Sequence, residues 1–160
     1  MKLVSKRKNR AKVEEMVLGF VFNKEHTKIA LIKKNRPEWQ KDKYNGIGGH
    51  VERKETFQDA MAREFEEEAS IFTLPDDWEG FGRMVGMDWD VWLFVLELND
   101  LSKIKSRTDE KIEIFEIDKI LNYKKGKLRN DIIPNLHWII PMAIDFLDNK
   151  KIVFADILYR

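Results

Sequence analysis

The sequence contains no cysteine, which excludes disulfide scaffolds, thiolate metal sites and cysteine nucleophiles. It also lacks any stretch approaching the ~20 consecutive apolar residues that a membrane-spanning helix requires. Met1 to Arg10 is basic, but no apolar run follows it, so a secretory signal is not expected. No internal repeat, low-complexity tract or linker divides the chain. One domain over all 160 residues is therefore expected, large enough to bury a core without metals or cross-links. These absences are compatible with a cytoplasmic setting and leave monomer and homodimer both open. The formal net charge is only +1, so no global field steers the chain toward nucleic acid.

An apolar fraction of 43% beside a charged fraction of 36% describes a soluble globular protein. The charge is unevenly placed. Residues 2 to 12 are almost purely basic, and residues 52 to 68 are rich in glutamate. The basic arm, residues 1–12, reads as a solvated, flexible terminus, with contact to phosphate or RNA as its alternative.

Val13 to Phe22 is apolar, β-branched and aromatic, which predicts a strand. Lys28 to Lys34 predicts its hairpin partner across a turn at Asn23 to Thr27. Asn35 to Lys43 is polar, contains Pro37 and reads as a loop. Tyr44 to Val51 is a glycine-rich short strand or turn. Helical periodicity then runs to Ala69. Trp78 to Met87 and Asp90 to Leu98 predict two further strands, and Leu101 to Lys111 a mobile polar loop. Lys111 to Ile117 predicts a strand. Pro134 suits the first turn of a helix, and Leu136, Ile139, Ile140, Ala143 and Leu147 form its apolar stripe as far as Asp148. Ile152 to Leu158 completes the elements. The order is α/β, with antiparallel hairpins flanked by helices.

The helix ending at Ala69 carries the chemistry. Thr56 can cap it, with Asp59 returning in a capping box. At about 100° per residue, Glu64, Glu67 and Glu68 fall on the same arc as Phe57, Ala60 and Met61. Glu66 falls opposite, with Ala62. A carboxylate costs several kcal/mol to desolvate unless it is paired, and three on one inward arc repel one another. Arg63 can answer one of them, or pair instead with Glu55. A hard divalent cation is the natural answer for the rest, since Mg²⁺ prefers oxygen ligands and keeps waters and substrate phosphates in its shell.

The surroundings of this helix resemble the signature of the Nudix hydrolases, G-x5-E-x7-R-E-U-x-E-E-x-G-U, where U is a bulky apolar residue. Gly49 opens the pattern, Glu55 follows, then Arg63-Glu64-Phe65, then Glu67-Glu68 and, after Ala69 and Ser70, Ile71. Ser70 stands where the family has glycine. Glycine there would take a left-handed conformation after the helix, and serine meets a penalty of roughly 1 kcal/mol for the same turn.

The resemblance implies a Nudix α/β/α sandwich with a mixed sheet and a loop-helix-loop catalytic motif. It implies a Mg²⁺-dependent pyrophosphohydrolase, with Mn²⁺ as the alternative ion, acting on a nucleoside diphosphate linked to another group. Glu64, Glu67 and Glu68 would be metal ligands, joined by a carbonyl at Gly48 or Gly49. Glu55 and Arg63 would form the ion pair that holds loop to helix. Some members add an acid from a later loop as ligand or base, for which Glu110 is the candidate, with a solvated loop acid as the plain alternative. His50 could approach phosphate or serve only the surface, and His26 reads as turn surface.

Tyr44-Asn45-Gly46-Ile47-Gly48-Gly49 is similar to the MutT-type branch that acts on oxidised nucleoside triphosphates. That likeness points to Asn45 as the amide reading a purine edge, with Asn135 as a second candidate. Trp39, Trp138 and Phe22 are candidates to stack on a base, or else core. Arg83 to Trp92 lacks the proline of ADP-sugar enzymes and the tyrosine of dinucleoside polyphosphate enzymes. An RNA 5′-end pyrophosphohydrolase and a non-catalytic nucleotide-binding regulatory module remain as alternatives.

Overall fold

A computed structural model describes residues 12–121, 130–149 and 154–160. Most of the basic arm, and the start of the predicted final strand at Ile152 and Val153, lie outside these residues.

The framework is an eight-stranded mixed sheet. β1 (Glu14–Asn23), β2 (Lys28–Lys33), β3 (Tyr44–Asn45) and β4 (Ile47–His50) are followed by α1 (Phe57–Ala69). After it come β5 (Glu79–Val85), β6 (Trp89–Leu98), β7 (Ile112–Glu116), α2 (Ile117–Leu121), α3 (Leu136–Asn149) and β8 (Ala155–Leu158). β1 lies at the centre, parallel to β6 from Glu14↔Trp89 to Asn23↔Leu98. Its other edge is shared. The start of β1 pairs with β4 and its end with β2, both antiparallel.

A strand buried on both faces reads as a continuous apolar run, and β1 shows why. Its side chains alternate between two cores. Val17 and Val21 pack with Ala60, Met61 and Phe65 of α1. Phe20 and Phe22 pack with Leu136, Ile139, Ile140 and Ala143 of α3. The layers are therefore helix, sheet, helix, as expected for the α/β sandwich.

The Thr56–Asp59 capping box forms in both directions. Ser70 closes α1 in the left-handed region at φ 57°, the conformation that the family's glycine would supply. Three expectations about the fold need correction. Leu101 to Lys111 is not a free loop. Leu101 is buried, and the Lys105 and Arg107 N–H groups donate to Ala69 and Glu68 carbonyls at 3.1 and 3.0 Å. These bonds satisfy the orphan carbonyls at the end of α1. Ala62, placed opposite the buried arc, is only 8% exposed, because the buried arc is wider than the first turn implied. The short α2 had no clear sequence signal.

His26 is the third correction. It is not turn surface. Its ring bridges Glu97 (Nε2···Oε1 2.7 Å) and Asp148 (Nδ1···Oδ1 2.6 Å), tying the β1–β2 turn to β6 and α3. Burial works against a charge on this imidazole, but the hydrogen bonds to Glu97 and Asp148 outweigh it and raise the pKa above 6.5. The stabilisation is complete below pH 6.5 and fades as pH rises through the raised folded value. His26→Gln is expected to cost about 1–2 kcal/mol in urea melts at about pH 6 and markedly less at about pH 8.5. Equal losses at both pH values would show that the bridge does not depend on charge.

Candidate active site

α1 enters the site after a loop whose geometry is set by one arginine. Arg63 Nε donates to Glu55 Oε1 at 2.6 Å and Nη2 to Glu55 Oε2 at 3.0 Å, a two-point fork. The same guanidinium reaches Glu64 Oε1 at 2.8 Å and the His50 carbonyl at 3.0 Å. Glu55 also accepts the Glu52 N–H at 2.9 Å, which closes the loop between β4 and α1. Hydrogen bonding to Arg63 holds Glu55 below its ordinary pKa and raises that of Arg63. Both charges are therefore fixed at any working pH.

Glu64 and Glu68 differ. Burial pushes Glu64 upward against the pull of Arg63. Burial pushes Glu68 up to about 7, the Glu64 and Glu110 charges adding to it while Lys34 and the Gly48 backbone oppose it. Glu68 Oε2 is buried and has no hydrogen-bond partner among the described residues. An orphaned carboxylate oxygen of this kind costs free energy unless a positive partner meets it.

Glu110 is buried and held by two donors. Lys34 Nζ donates at 2.6 Å and the Asn35 N–H at 2.7 Å. It is thus no solvated loop acid. Lys34 directly follows β2, where neither periodicity nor spacing marked it.

Glu67 stands apart from the other two. Its side chain is 58% exposed and touches Arg63 at 3.5 Å. The arc that α1 buries runs through Ala60, Met61, Phe65, Ala69 and Ala62. On a wheel of about 100° per residue that arc is centred near Met61 and Phe65, so Glu67 falls just outside it and Glu64 and Glu68 fall within. Gly49 closes the approach from β4, for a Cβ there would lie 2.5 Å from the Glu64 carboxylate.

A cleft of about 880 Å³ opens on this end of α1. Its lining includes Gly48, Gly49, His50, Glu64, Glu68 and Glu110, together with Asn45, Trp39, Met84, Trp89, Asn135 and Tyr159. Asn45 is not a free amide. Its Nδ2 donates to Gln40 Oε1 at 3.0 Å, and its Oδ1 accepts the Gly46 N–H at 2.8 Å. His50 is open to solvent, with its side chain 70% exposed and 3.7 Å from Glu14. Of the stacking candidates, Trp39 is 62% exposed and borders the cleft. Phe22 is fully buried in the core beneath α3, and Trp138 does not line the cleft. Trp89, Met84 and Tyr159 join the site only through pairing of β5, β6 and β8.

Among the described residues, no three carboxylate or imidazole groups gather closely enough to hold an ion by themselves. The donor set nonetheless suits a hard cation. It is all oxygen, it is anionic, and it contains the orphaned Glu68 oxygen. Mg²⁺ commonly takes one or two carboxylates and completes its shell with water and phosphate oxygens. Arg63→Lys keeps the charge but loses the fork on Glu55 and the simultaneous reach to Glu64. It is expected to lower metal affinity or activity about 10- to 100-fold, measured by Mn²⁺ titration and hydrolysis assays. Unchanged values would show that Arg63 does not orient Glu64.

A family model described as NUDIX domain matches residues 14–138. Among solved structures, the chain is similar to MutT studied from Aliivibrio salmonicida and Vibrio cholerae. That likeness has 24% identity, covers 71% of this chain and 87% of that one, and has a TM-score of 0.59. It is also similar to a NUDIX hydrolase from Nitrosomonas europaea, at 17% identity over 94% and 82% of the two chains with a TM-score of 0.61. A MutT/nudix family protein from Enterococcus faecalis aligns at 16% identity over 88% and 64%, with a TM-score of 0.63. Identities this low establish the fold alone. No curated protein sequence matches the chain significantly. A family match that takes in the whole signature segment and most of the chain is decisive: the protein belongs to the Nudix family, and is a hydrolase of the kind that cleaves a nucleoside diphosphate linked to another moiety.

Proposed function

We propose that this protein is a divalent-metal-dependent pyrophosphohydrolase that converts a nucleoside triphosphate, oxidised purine nucleotides included, to monophosphate and pyrophosphate. The observation that carries this reading is one cleft whose lining combines two chemically distinct sets of side chains, carboxylates on the one hand and aromatic rings and amides on the other. A triphosphate bears charge at one end and a flat heterocycle at the other, which suits that division.

Glu64, Glu67 and Glu68 would hold Mg²⁺, or Mn²⁺ in its place, with the Gly48 carbonyl as a further ligand. When bound, the ion neutralises phosphoryl oxygens and makes a nearby water more acidic. The chain's own part is mostly positioning. Arg63 fixes Glu64 against the Glu55 loop. Lys34 and the Asn35 N–H hold the Glu110 carboxylate in place, where it could accept a proton from a water poised for attack on phosphorus. The exposed Glu67 can swing inward from solvent at small cost. Trp39, standing free at the cleft edge, offers a ring face to a base.

The test is a screen of nucleoside triphosphates, oxidised purine triphosphates, ADP-ribose, dinucleoside polyphosphates and 5′-triphosphorylated RNA with Mg²⁺. Release of monophosphate and pyrophosphate from a triphosphate is expected. Preference for a different diphosphate-linked substrate would overturn the triphosphate reading, and activity on none would overturn the proposal as a whole.

A further inference from the structure

The last strand among the described residues, β8, lies beyond the residues matched to the family, 14–138, yet the residue that follows it, Tyr159, lines the cleft. β8 runs parallel to β5 in the register Gly82↔Ala155 to Val85↔Leu158. The Tyr159 N–H donates to the Val85 carbonyl at 2.9 Å, extending that pairing by one residue. Arg83 holds Asp156 by two contacts, 3.1 and 3.2 Å. The strand is therefore anchored along its length, and its end places the Tyr159 ring on Trp89 with centroids 5.3 Å apart.

The hydroxyl of Tyr159 then closes a small polar triangle. Asn135 Nδ2 donates to Tyr159 Oη at 3.3 Å and lies 3.5 Å from Met84 Sδ, while Tyr159 Oη donates to the same sulfur at 3.7 Å. Asn135, Met84 and Tyr159 all line the cleft. An amide offers a donor end and an acceptor end. Here the donor end is engaged by the tyrosine and the thioether. The acceptor, Oδ1, takes no hydrogen bond among the described residues. A thioether is a weak acceptor and no donor, so the triangle favours this amide orientation over its flipped form.

We propose that Tyr159 is a positioning residue: it holds Asn135 with its carbonyl oxygen available to the cleft, so that the site favours heterocycles carrying an N–H donor on their edge. This rests on the reading of the cleft as a nucleotide site, but it concerns only the Asn135, Met84 and Tyr159 cluster and none of the carboxylates. It is also independent of metal. The C-terminal strand thus supplies part of the specificity.

The test is calorimetric binding of two nucleoside monophosphates to the metal-free full-length protein. Guanosine monophosphate carries N–H donors on its base edge. Purine riboside monophosphate has the same ring system with none. Tyr159→Phe keeps the ring on Trp89 and removes only the hydroxyl. It is expected to weaken guanosine monophosphate binding about 3- to 10-fold, the range of one hydrogen bond, and to leave purine riboside monophosphate unchanged. Asn135→Ala is expected to abolish the native protein's preference between the two ligands. In steady-state assays the Tyr159→Phe effect should fall on KM and not on kcat.

Equal weakening of both ligands would mean a merely structural role and overturn the proposal. So would an unchanged guanosine monophosphate affinity, or a native protein that does not prefer guanosine monophosphate. Failure of the hydrolysis screen with an intact binding preference would count against the pyrophosphohydrolase reading alone.

Discussion

Glu68→Gln is expected to fold, to lose at least about 10³-fold in kcat with Mg²⁺, and to be more stable than the native protein at about pH 8 without metal. The two halves of this result have one origin. The Glu68 carboxyl has an ordinary pKa of 4.5 and is pushed up to about 7, chiefly by burial. A group whose folded pKa is raised contributes its stability fully below the unfolded value and loses it as pH rises through the folded one. From pH 4.5 to about 7 the metal-free protein should therefore weaken, by roughly 2–3 kcal/mol from this group.

Glutamine is neutral and nearly isosteric, so it removes that cost. It also removes an anionic ligand. Thermal melts at about pH 5 and pH 8, with and without Mg²⁺, separate the contributions. Mg²⁺ should raise the melting temperature of the native protein at the higher pH and leave the variant almost unmoved. A variant no more stable than the native protein at high pH would show that Glu68 is not under electrostatic stress. Retained activity would remove it from the site. Tolerating destabilised charge at a working site is a common exchange of stability for activity.

Two adjacent glycines should fail in different ways. A Cβ at Gly48 would overlap the Val17 backbone carbonyl, where β4 pairs with β1 at Leu18↔Gly48. Backbone cannot step aside without breaking that ladder. Gly48→Ala is expected to cost about 3 kcal/mol or more, visible as a large drop in the denaturant midpoint.

A Cβ at Gly49 would instead press on the end of the Glu64 side chain, 2.5 Å away. A flexible carboxylate can move, but then it leaves the geometry set by Arg63. Gly49→Ala is expected to stay within about 1–2 kcal/mol of native stability and to lose about 10²-fold in activity, as a displacement near 1 Å can. The contrast is the discriminating result. If Gly49→Ala lost stability as severely as Gly48→Ala, the close approach of β4 to α1 would be structural and no device for placing Glu64.

Much of this was legible beforehand because its causes are local. A capping box needs only Thr56 and Asp59 three residues apart, and it forms in both directions. The run of Val17 to Phe22 reads as a central strand because both faces of β1 are covered by helices. The wheel of α1 separated Glu64 and Glu68 from Glu66 using helical geometry alone. It erred at Glu67 and Ala62 because the width of the buried arc depends on what packs around the helix. Sequence periodicity cannot contain that information.

The same reason accounts for the other departures. Nothing near His26 announces Glu97 and Asp148, which reach it from β6 and from the end of α3. Leu101 to Lys111 is polar enough to look mobile, yet it is held by the carbonyls that end α1. Lys34 meets Glu110, and Tyr159 meets Asn135, only because distant strands are paired in a particular register.

The sequence by itself determined the family and the reaction class, and it marked the carboxylates proposed to carry that reaction, since the signature spacing is local and encodes a single loop and helix. It also determined the layered α/β architecture, through apolar runs whose periods match strand and helix. Tertiary structure alone decided which of those carboxylates are desolvated, what holds Glu110, and which residues from distant strands join the lining of the cleft. Those properties depend on burial and on contacts across the sheet, where the neighbours that set a charge or orient an amide are far away along the chain.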